Sequence, residues 1–478
     1  MSIKRLLPWL VCLALSLGVA GLRLGPVLWQ PDAYLLGGWG HPDNIGNHWL
    51  LVWVAEQLSA GQSIIHNTDY YAPIGDYPWL AGNGSEGFLY WPLHRLFGWP
   101  VAILPLVLGY FIGLGLGGYF LARVLGVGRW SALFCSSAIV SSGFWVREIN
   151  AGRFSQLDGV WLIWSLALFI GLFTESRSRF WVVLCGVCIG LTGVFYWYYA
   201  YFFVLIASIV VLTAWLLKVS IPWRQIGLAA VVSWIVIAPL ASIYWQHWSL
   251  VPGTDETTFP SADAFADALN LTGSWLSPFG RTAGAVQALP TWILMGFGGM
   301  VGWRSRESDH LRMWGVVSIC LMSLCFLLLS AGPKLPLFEM AYGWNDALRR
   351  FWWPSRHLLV WTVSCALLAG FGLDYLVDRW GNRWRFVIAI LASISVPASL
   401  WLQGDRPFHS NHTPLEYPLA EYQPIKELKG DVLLMPPLNP KVANTQLPLL
   451  FQLTHQKRLL TGHGMWVDRV RPREWDQQ

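Results

Sequence analysis

Charge is scarce in this sequence. Only 12% of its 478 residues are Asp, Glu, Lys or Arg, against about 25% in an ordinary soluble domain. With a mean hydropathy of +0.44, too little polar surface remains to cover a water-soluble globule of this size. Runs of Lys or Arg are lacking, so no nucleic-acid partner is implied. Internal repeats and low-complexity tracts are lacking too. The seven cysteines, Cys12, Cys135, Cys185, Cys188, Cys320, Cys325 and Cys365, all lie inside apolar runs, which excludes an exported disulfide framework. Cys185 and Cys188 have CxxC spacing, but their segment carries no histidine or charge, and they read as packing residues.

What the chain does have is apolar runs of membrane-crossing length. A span needs about 20 apolar residues. Such runs lie near 6–28, 99–122, 130–146, 158–174, 180–196, 198–217, 226–247, 287–303, 312–330, 357–377 and 385–402. The fold class expected is therefore an all-α membrane protein with about eleven transmembrane helices. The first run could serve as a signal peptide, but its apolar stretch continues to Trp29, which favours a retained anchor. Lys and Arg in the short connections set the sides. With the amino terminus inside, the inner connections hold Lys4, Arg5, Arg123, Arg129, Arg177, Arg179, Lys218, Arg224, Arg304, Arg306, Arg312, Arg379, Arg383 and Arg385. The outer connections are longer and more acidic, and an odd number of crossings leaves the tail outside. The 32 Trp residues, many at the ends of apolar runs, fit interfacial belts.

Span centres carry almost no ionisable groups; Asp158 and Asp374 fall near span ends. Ion-coupled transporters keep carboxylates, broken helices and paired repeats at the midplane, and that pattern is missing. The polar chemistry is on the outer side, in the stretches 29–98, 248–286, 331–356 and 403–478. In the first of these, Asn44–Leu58 places Leu50, Val54 and Leu58 on one stripe beside Trp49 and Trp53. That spacing predicts an amphipathic helix lying on the membrane surface, ended by Gly61. Asp43 at its start has two readings, a helix N-cap or a general base held at the membrane surface. His41, Asp43 and His48 offer ligand atoms for a divalent metal, but their spacing follows no dedicated zinc pattern, and no cofactor is implied. Asp69, Asp76 and Glu86 read as solvated turn carboxylates or as substrate contacts, and His66 and His94 as structural.

Two further clusters are cationic on the side where cations are disfavoured. Arg147-Glu148-Ile-Asn150-Ala-Gly-Arg153 reads as a local ion pair or as a clamp for a phosphate or diphosphate, for which the guanidinium fork is well shaped. Arg349-Arg350-Phe-Trp-Trp-Pro-Ser-Arg356 reads as snorkelling to lipid headgroups or as an anchor for a lipid-linked phosphate. Phe195–Phe203, FYWYYAYFF, reads as aromatic belt or as a stacking platform for a sugar. The sequons at Asn83, Asn270 and Asn411 all fall on the outer side and count only where that modification occurs.

This layout resembles the C-type membrane glycosyltransferases, the GT-C superfamily. The run Asp43…Trp49…Trp53…Leu58…Gly61 is similar to the first loop of a bacterial subgroup. So are Tyr71-Ala-Pro73-Ile-Gly75, Asn83 and Pro92-Leu93…Phe97-Gly98. Arg350-Phe-Trp-Trp-Pro354-Ser-Arg356 and Leu368-Ala-Gly370-Phe-Gly372-Leu are similar to two later stretches of that subgroup, as are Asp431-Val-Leu-Leu-Met-Pro436 and His455-Gln-Lys-Arg in the tail. The chain departs from the pattern at Pro42, where Gly is usual before the acid, and at Gly152-Arg153, where Gly-His is common. The resemblance implies a polytopic domain over 1–402, whose long first loop, 29–98, carries surface helices. It also implies a short extracytoplasmic α/β tail over 403–478 with a buried strand at 432–435, in a bacterial inner membrane.

The same resemblance implies transfer of a sugar from a polyprenyl-phosphate donor to an acceptor at the outer face. Asp43 becomes the expected catalytic residue. Arg147, Glu148, Arg153, Arg349, Arg350, Arg356, Asp69, Asp76 and Glu86 become expected substrate-binding residues, with the donor and membrane lipid as partners and no nucleic acid. The rival readings are a lipid or glycan transporter or flippase, which would show polar midplane residues or repeat symmetry, and a non-catalytic membrane subunit with the same fold.

Overall fold

The structure, a computed structural model, describes residues 3–38, 43–67, 77–78, 85–174, 178–246, 288–304, 310–332, 335, 354–379, 384–402, 412–414, 423–427, 432–433, 452 and 458–459. Helices dominate it, and the protein is a multi-pass membrane protein. The helices that matter below are α1 (Ile3–Leu24), α2 (Asp43–Ala60), α3 (Glu86–Phe97), α4 (Ile103–Val124), α5 (Ser131–Val140), α6 (Gly143–Asn150), α7 (Gly159–Thr174), α8 (Arg179–Phe195), α9 (Trp197–Leu216), α10 (Trp223–Gln246), α11 (Leu289–Arg304), α12 (His310–Ser330), α13 (Leu358–Arg379) and α14 (Arg385–Leu402).

Eight helical stretches are long and apolar enough to cross a membrane: Leu6–Leu24, Ile103–Val124, Phe154–Thr174, Trp197–Leu216, Trp223–Ile243, His310–Ser330, Pro354–Arg379 and Arg385–Leu402. The other three expected spans take different forms. Arg179–Phe195 and Leu289–Gly298 are shorter apolar helices. The run 130–146 is not one helix. It breaks at Ser141–Ser142, where Ser142 leaves helical geometry (φ −53, ψ 136) and its hydroxyl caps the amide of Phe144. Alone, α5 has 10 residues and rises about 15 Å, half of a hydrocarbon core of about 30 Å. The break delivers the polar helix α6 and the Arg153 turn to one end of the bundle.

The core is built around α5 and α13, whose residues are buried on nearly all sides. α5 packs on α1, α4, α13 and α14, α7 on α4, α8 on α10, and α13 on α11 and α12. At the α11–α13 crossing, a Cβ on Gly298 would overlap the Leu368 carbonyl, and one on Gly372 the Leu294 carbonyl. Backbone meets backbone there, as it does where small residues line helix interfaces in lipid. The Leu-Ala-Gly-x-Gly-Leu stretch thus serves packing; Gly370, its first glycine, lies against the Cys135 thiol. Just beyond Gly372 on α13, Asp374 accepts from Ser131 at 3.1 Å and pairs with Arg312 at 3.2 Å.

Two of the small sheets carry topology. Strand β1 (Tyr34–Leu36) pairs antiparallel with β4 (His412–Pro414) in the register Leu35↔Thr413. One strand follows the first span and the other follows the last, and a two-stranded sheet cannot form through a bilayer, so both lie on the same side of the membrane. β5 (Val432–Leu433) pairs in parallel with β6 (Arg458–Leu459). β2 (His66–Asn67) and β3 (Tyr77–Pro78) form a hairpin pairing in the first loop.

Two expectations about surroundings are corrected. α2 is not a one-stripe surface helix. Ile45, Trp49, Leu51, Val52, Trp53, Val54 and Ala55 are all buried, because α3 covers one side of α2 and the turns at Gly38 and Gly152 hold its start. The Phe195–Phe203 run is not belt either: Tyr196, Tyr198, Tyr199, Phe202 and Phe203 are buried, Tyr199 against Gln156, Tyr196, Tyr198 and Phe202 against Arg356 and His357, and Phe203 against Phe169.

Candidate functional site

The chain turns sharply at Gly152. Its φ of +68 is in the left-handed region, and a Cβ there would overlap the backbone of Asn44. Glycine is required on both counts. Asn47 Nδ2 donates to the Gly152 carbonyl at 3.0 Å, Asn44 Nδ2 donates to the Gly38 carbonyl at 3.4 Å, and the Gly38 amide donates to the Asn150 carbonyl at 3.0 Å. The start of α2, with Asp43 as its first residue, is thereby fastened against the turn that carries Arg153. His48 adds a second fastening. It is fully buried, packs edge-on against Phe154 with ring centroids 5.0 Å apart, and hydrogen-bonds through Nε2 to the Leu36 carbonyl at 2.8 Å. Burial lowers its pKa to about 4, partly offset by the Leu36 bond. A neutral ring locked this way is a structural group.

The arginine cluster forms around a buried acid. The Glu148 side chain has no exposed surface, Arg147 forks onto it, and Arg153 Nη1 lies 3.5 Å from its second oxygen. Burial alone would raise the Glu148 pKa, but Arg147, then Arg153 and Arg356, outweigh it and hold the carboxyl below its usual value. Arg356 comes from a different part of the chain, the 3-10 turn Pro354–His357 that opens α13. Its guanidinium lies 4.5 Å from the ring centre of Tyr198 and 5.6 Å from that of Tyr196, within cation–π range. Tyr199 donates its hydroxyl to the Gln156 carbonyl at 2.5 Å, joining the α8–α9 turn to the segment after Arg153. Arg147, Glu148 and Arg153, one cluster in the sequence, and Arg356, from another, thus form one site. Arg147, Arg153 and Arg356 carry three positive charges to the one negative charge of Glu148.

Other expected site residues fall elsewhere. Glu86 is not a solvated turn carboxylate: it opens α3, is 2% exposed, and faces Asp158, a residue that span-counting passed over as a span-end carboxylate. Arg349, Arg350, Asp69, Asp76 and His41 lie outside the described residues, as do Asn83, Asn270 and Asn411. Among the described residues no group of three or more His, Cys, Asp or Glu side chains is placed to hold a metal ion. Arg23, buried at 1% and donating to the Ser141 carbonyl beside α6, was masked in the sequence by the apolar run around it; a lone cation inside a span was the available signal.

No family model matches the chain, and no curated protein matches it in sequence.

Proposed function

We propose that this protein is a membrane glycosyltransferase of the C type, which moves a sugar from a polyprenyl-phosphate donor to an acceptor hydroxyl at the extracytoplasmic face of a bacterial inner membrane. The observation that carries the reading is the convergence of Arg147, Arg153 and Arg356 from two separate segments, beside the helix that Asp43 begins. Guanidiniums held by a buried carboxylate and by aromatic faces are preorganised donors for phosphate oxygens.

In this reading Asp43 takes the proton of the acceptor hydroxyl. The acceptor oxygen forms a bond to the anomeric carbon as the bond from that carbon to the phosphate oxygen breaks. The leaving polyprenyl phosphate carries the electron pair, and Arg147, Arg153 and Arg356 stabilise its charge. The prenyl tail stays in the bilayer among about eleven spans, with the amino terminus cytoplasmic and the carboxyl terminus outside. Glu148 acts through the arginines, fixing their forks.

The test is to supply purified full-length protein with labelled polyprenyl-phosphate sugars and follow release of the lipid phosphate. Donor turnover in the wild type that falls by orders of magnitude in Asp43→Asn supports the reading. Turnover unchanged by that substitution overturns the role of Asp43, and absence of turnover and of donor binding overturns the function.

A further inference from the structure

The first-loop helix α3 begins on a carboxyl that is buried against another carboxyl. Glu86 is 2% exposed, Asp158 0% and Tyr110 4%, and they come from α3, the 3-10 turn Phe154–Asp158 and α4. Glu86 Oε1, both Asp158 oxygens and the Tyr110 hydroxyl are buried with no hydrogen-bond partner outside this trio. The three groups nevertheless interact directly. Among the described residues no Lys, Arg or His is ion-paired with either acid. Two carboxylates can only accept, and the single Tyr110 O–H can serve only one acceptor, while two buried negative charges without a cation are strongly unfavourable. One proton resolves both problems. It makes one carboxyl the donor to the other, as in acid pairs that share a site.

We propose that Glu86 and Asp158 form a proton-binding site in which a single shared proton fastens α3 of the first outer loop to the helix bundle, and that loss of this proton releases α3. Release would also free Asp158, which ends the segment that begins after Arg153 and that Tyr199 ties to the aromatic turn under Arg356. The geometry is independent of which substrate the cluster takes.

Other contacts of α3 frame the effect. Ser85 donates to the Val194 carbonyl at 2.7 Å, and Trp91 Nε1 donates to the Ser59 hydroxyl at 2.9 Å. The titratable groups that face the pair or pack about α3 are Tyr110 on α4, Tyr199 on α9, His48 and Glu56 on α2, and Tyr90, His94 and Arg95 on α3 itself. Burial lowers the pKa of His48 and His94, so both are neutral above the ordinary histidine value of about 6.5, and Tyr90 is held protonated by burial. In that upper range the acid pair is the group left to titrate. Burial first, and then the Asp158 carboxyl, push the Glu86 pKa well above the usual carboxylate value. The docked state therefore binds the extra proton, and docking weakens as pH rises from the ordinary carboxylate value through the raised one.

Hydrogen exchange of the full-length protein in lipid nanodiscs tests this. Amide protection over 88–97, corrected for the intrinsic pH dependence of exchange, should fall as pH rises above 6.5, by up to about tenfold per pH unit for one linked proton. The double variant Glu86→Gln/Asp158→Asn, which imitates the protonated pair, should stay protected across the same range. Wild-type protection flat with pH, or a double variant that still loses protection, overturns the proposal. Infrared pH titration of the wild type alone covers the case in which the variant fails to fold. A carboxylic-acid carbonyl band that persists at neutral pH and disappears as α3 loses protection supports the proposal, and the absence of such a band at neutral pH overturns it.

Discussion

At the residue scale, the arginine cluster depends on one acid. Glu148 is buried without exposed side-chain surface, while Arg147 and Arg153 keep 16% and 15%. Removing one partner from a buried charge network costs about 3–5 kcal/mol, so Glu148→Gln should lower the thermal unfolding midpoint, with a larger loss than any single arginine substitution. The held-down pKa gives a pH dependence of definite sign. The stabilisation is complete above the ordinary glutamate value and is lost as pH falls through the lower value of the folded state. His48 acts in the same direction in a higher window. Its folded pKa, about 4, lies below the ordinary histidine value, so the packing of α2 weakens as pH falls from about 6.5 towards 4. Tryptophan fluorescence of the loop, through the stacked Trp49 and Trp53, should report that loss, and His48→Gln should remove the part of it that lies in this window.

At the element scale, Gly152 and the Ser141–Ser142 break decide where the cationic groups sit. Gly152→Ala should cost about 1–2 kcal/mol for the left-handed backbone, besides displacing Asn44. Under the proposed function it should lower donor turnover with little change in total helix content by circular dichroism. Loss of the Ser142 cap in Ser142→Ala should cost about 1 kcal/mol, measured as a drop in unfolding midpoint. The α11–α13 crossing tolerates less. Gly372→Val would drive a side chain into the Leu294 carbonyl, and the protein should aggregate on solubilisation, whereas the exposed Leu391→Val should be near neutral.

At the scale of the whole molecule, the β1–β4 pairing links the first loop to the tail. Asp32→Cys and Thr413→Cys should each react with a membrane-impermeant thiol reagent from the same side of sealed membranes, the outside under the proposed orientation. Labelling from opposite sides would contradict the pairing Leu35↔Thr413. Much of this scale was legible in the sequence, because burying twenty apolar residues in lipid is a local requirement that each span meets alone. Periodicity also found α2, its start at Asp43 and its end at Gly61, where φ is +66. It failed for the surroundings of α2, since an apolar stripe is equally suited to a membrane surface and to a protein neighbour.

The sequence by itself determined that the chain crosses a membrane repeatedly, and that its cations and acids gather in the connections rather than in the span centres. These follow from hydrophobic length and from the cost of charge in lipid, which act on each segment separately. Only the tertiary structure decided which polar residues meet. It joined Arg356 to Glu148 across more than 200 residues of chain, set Glu86 against Asp158, and turned an expected aromatic belt into the wall beneath Arg356. Such pairings depend on how helices pack and where one breaks, and no local pattern encodes that contact.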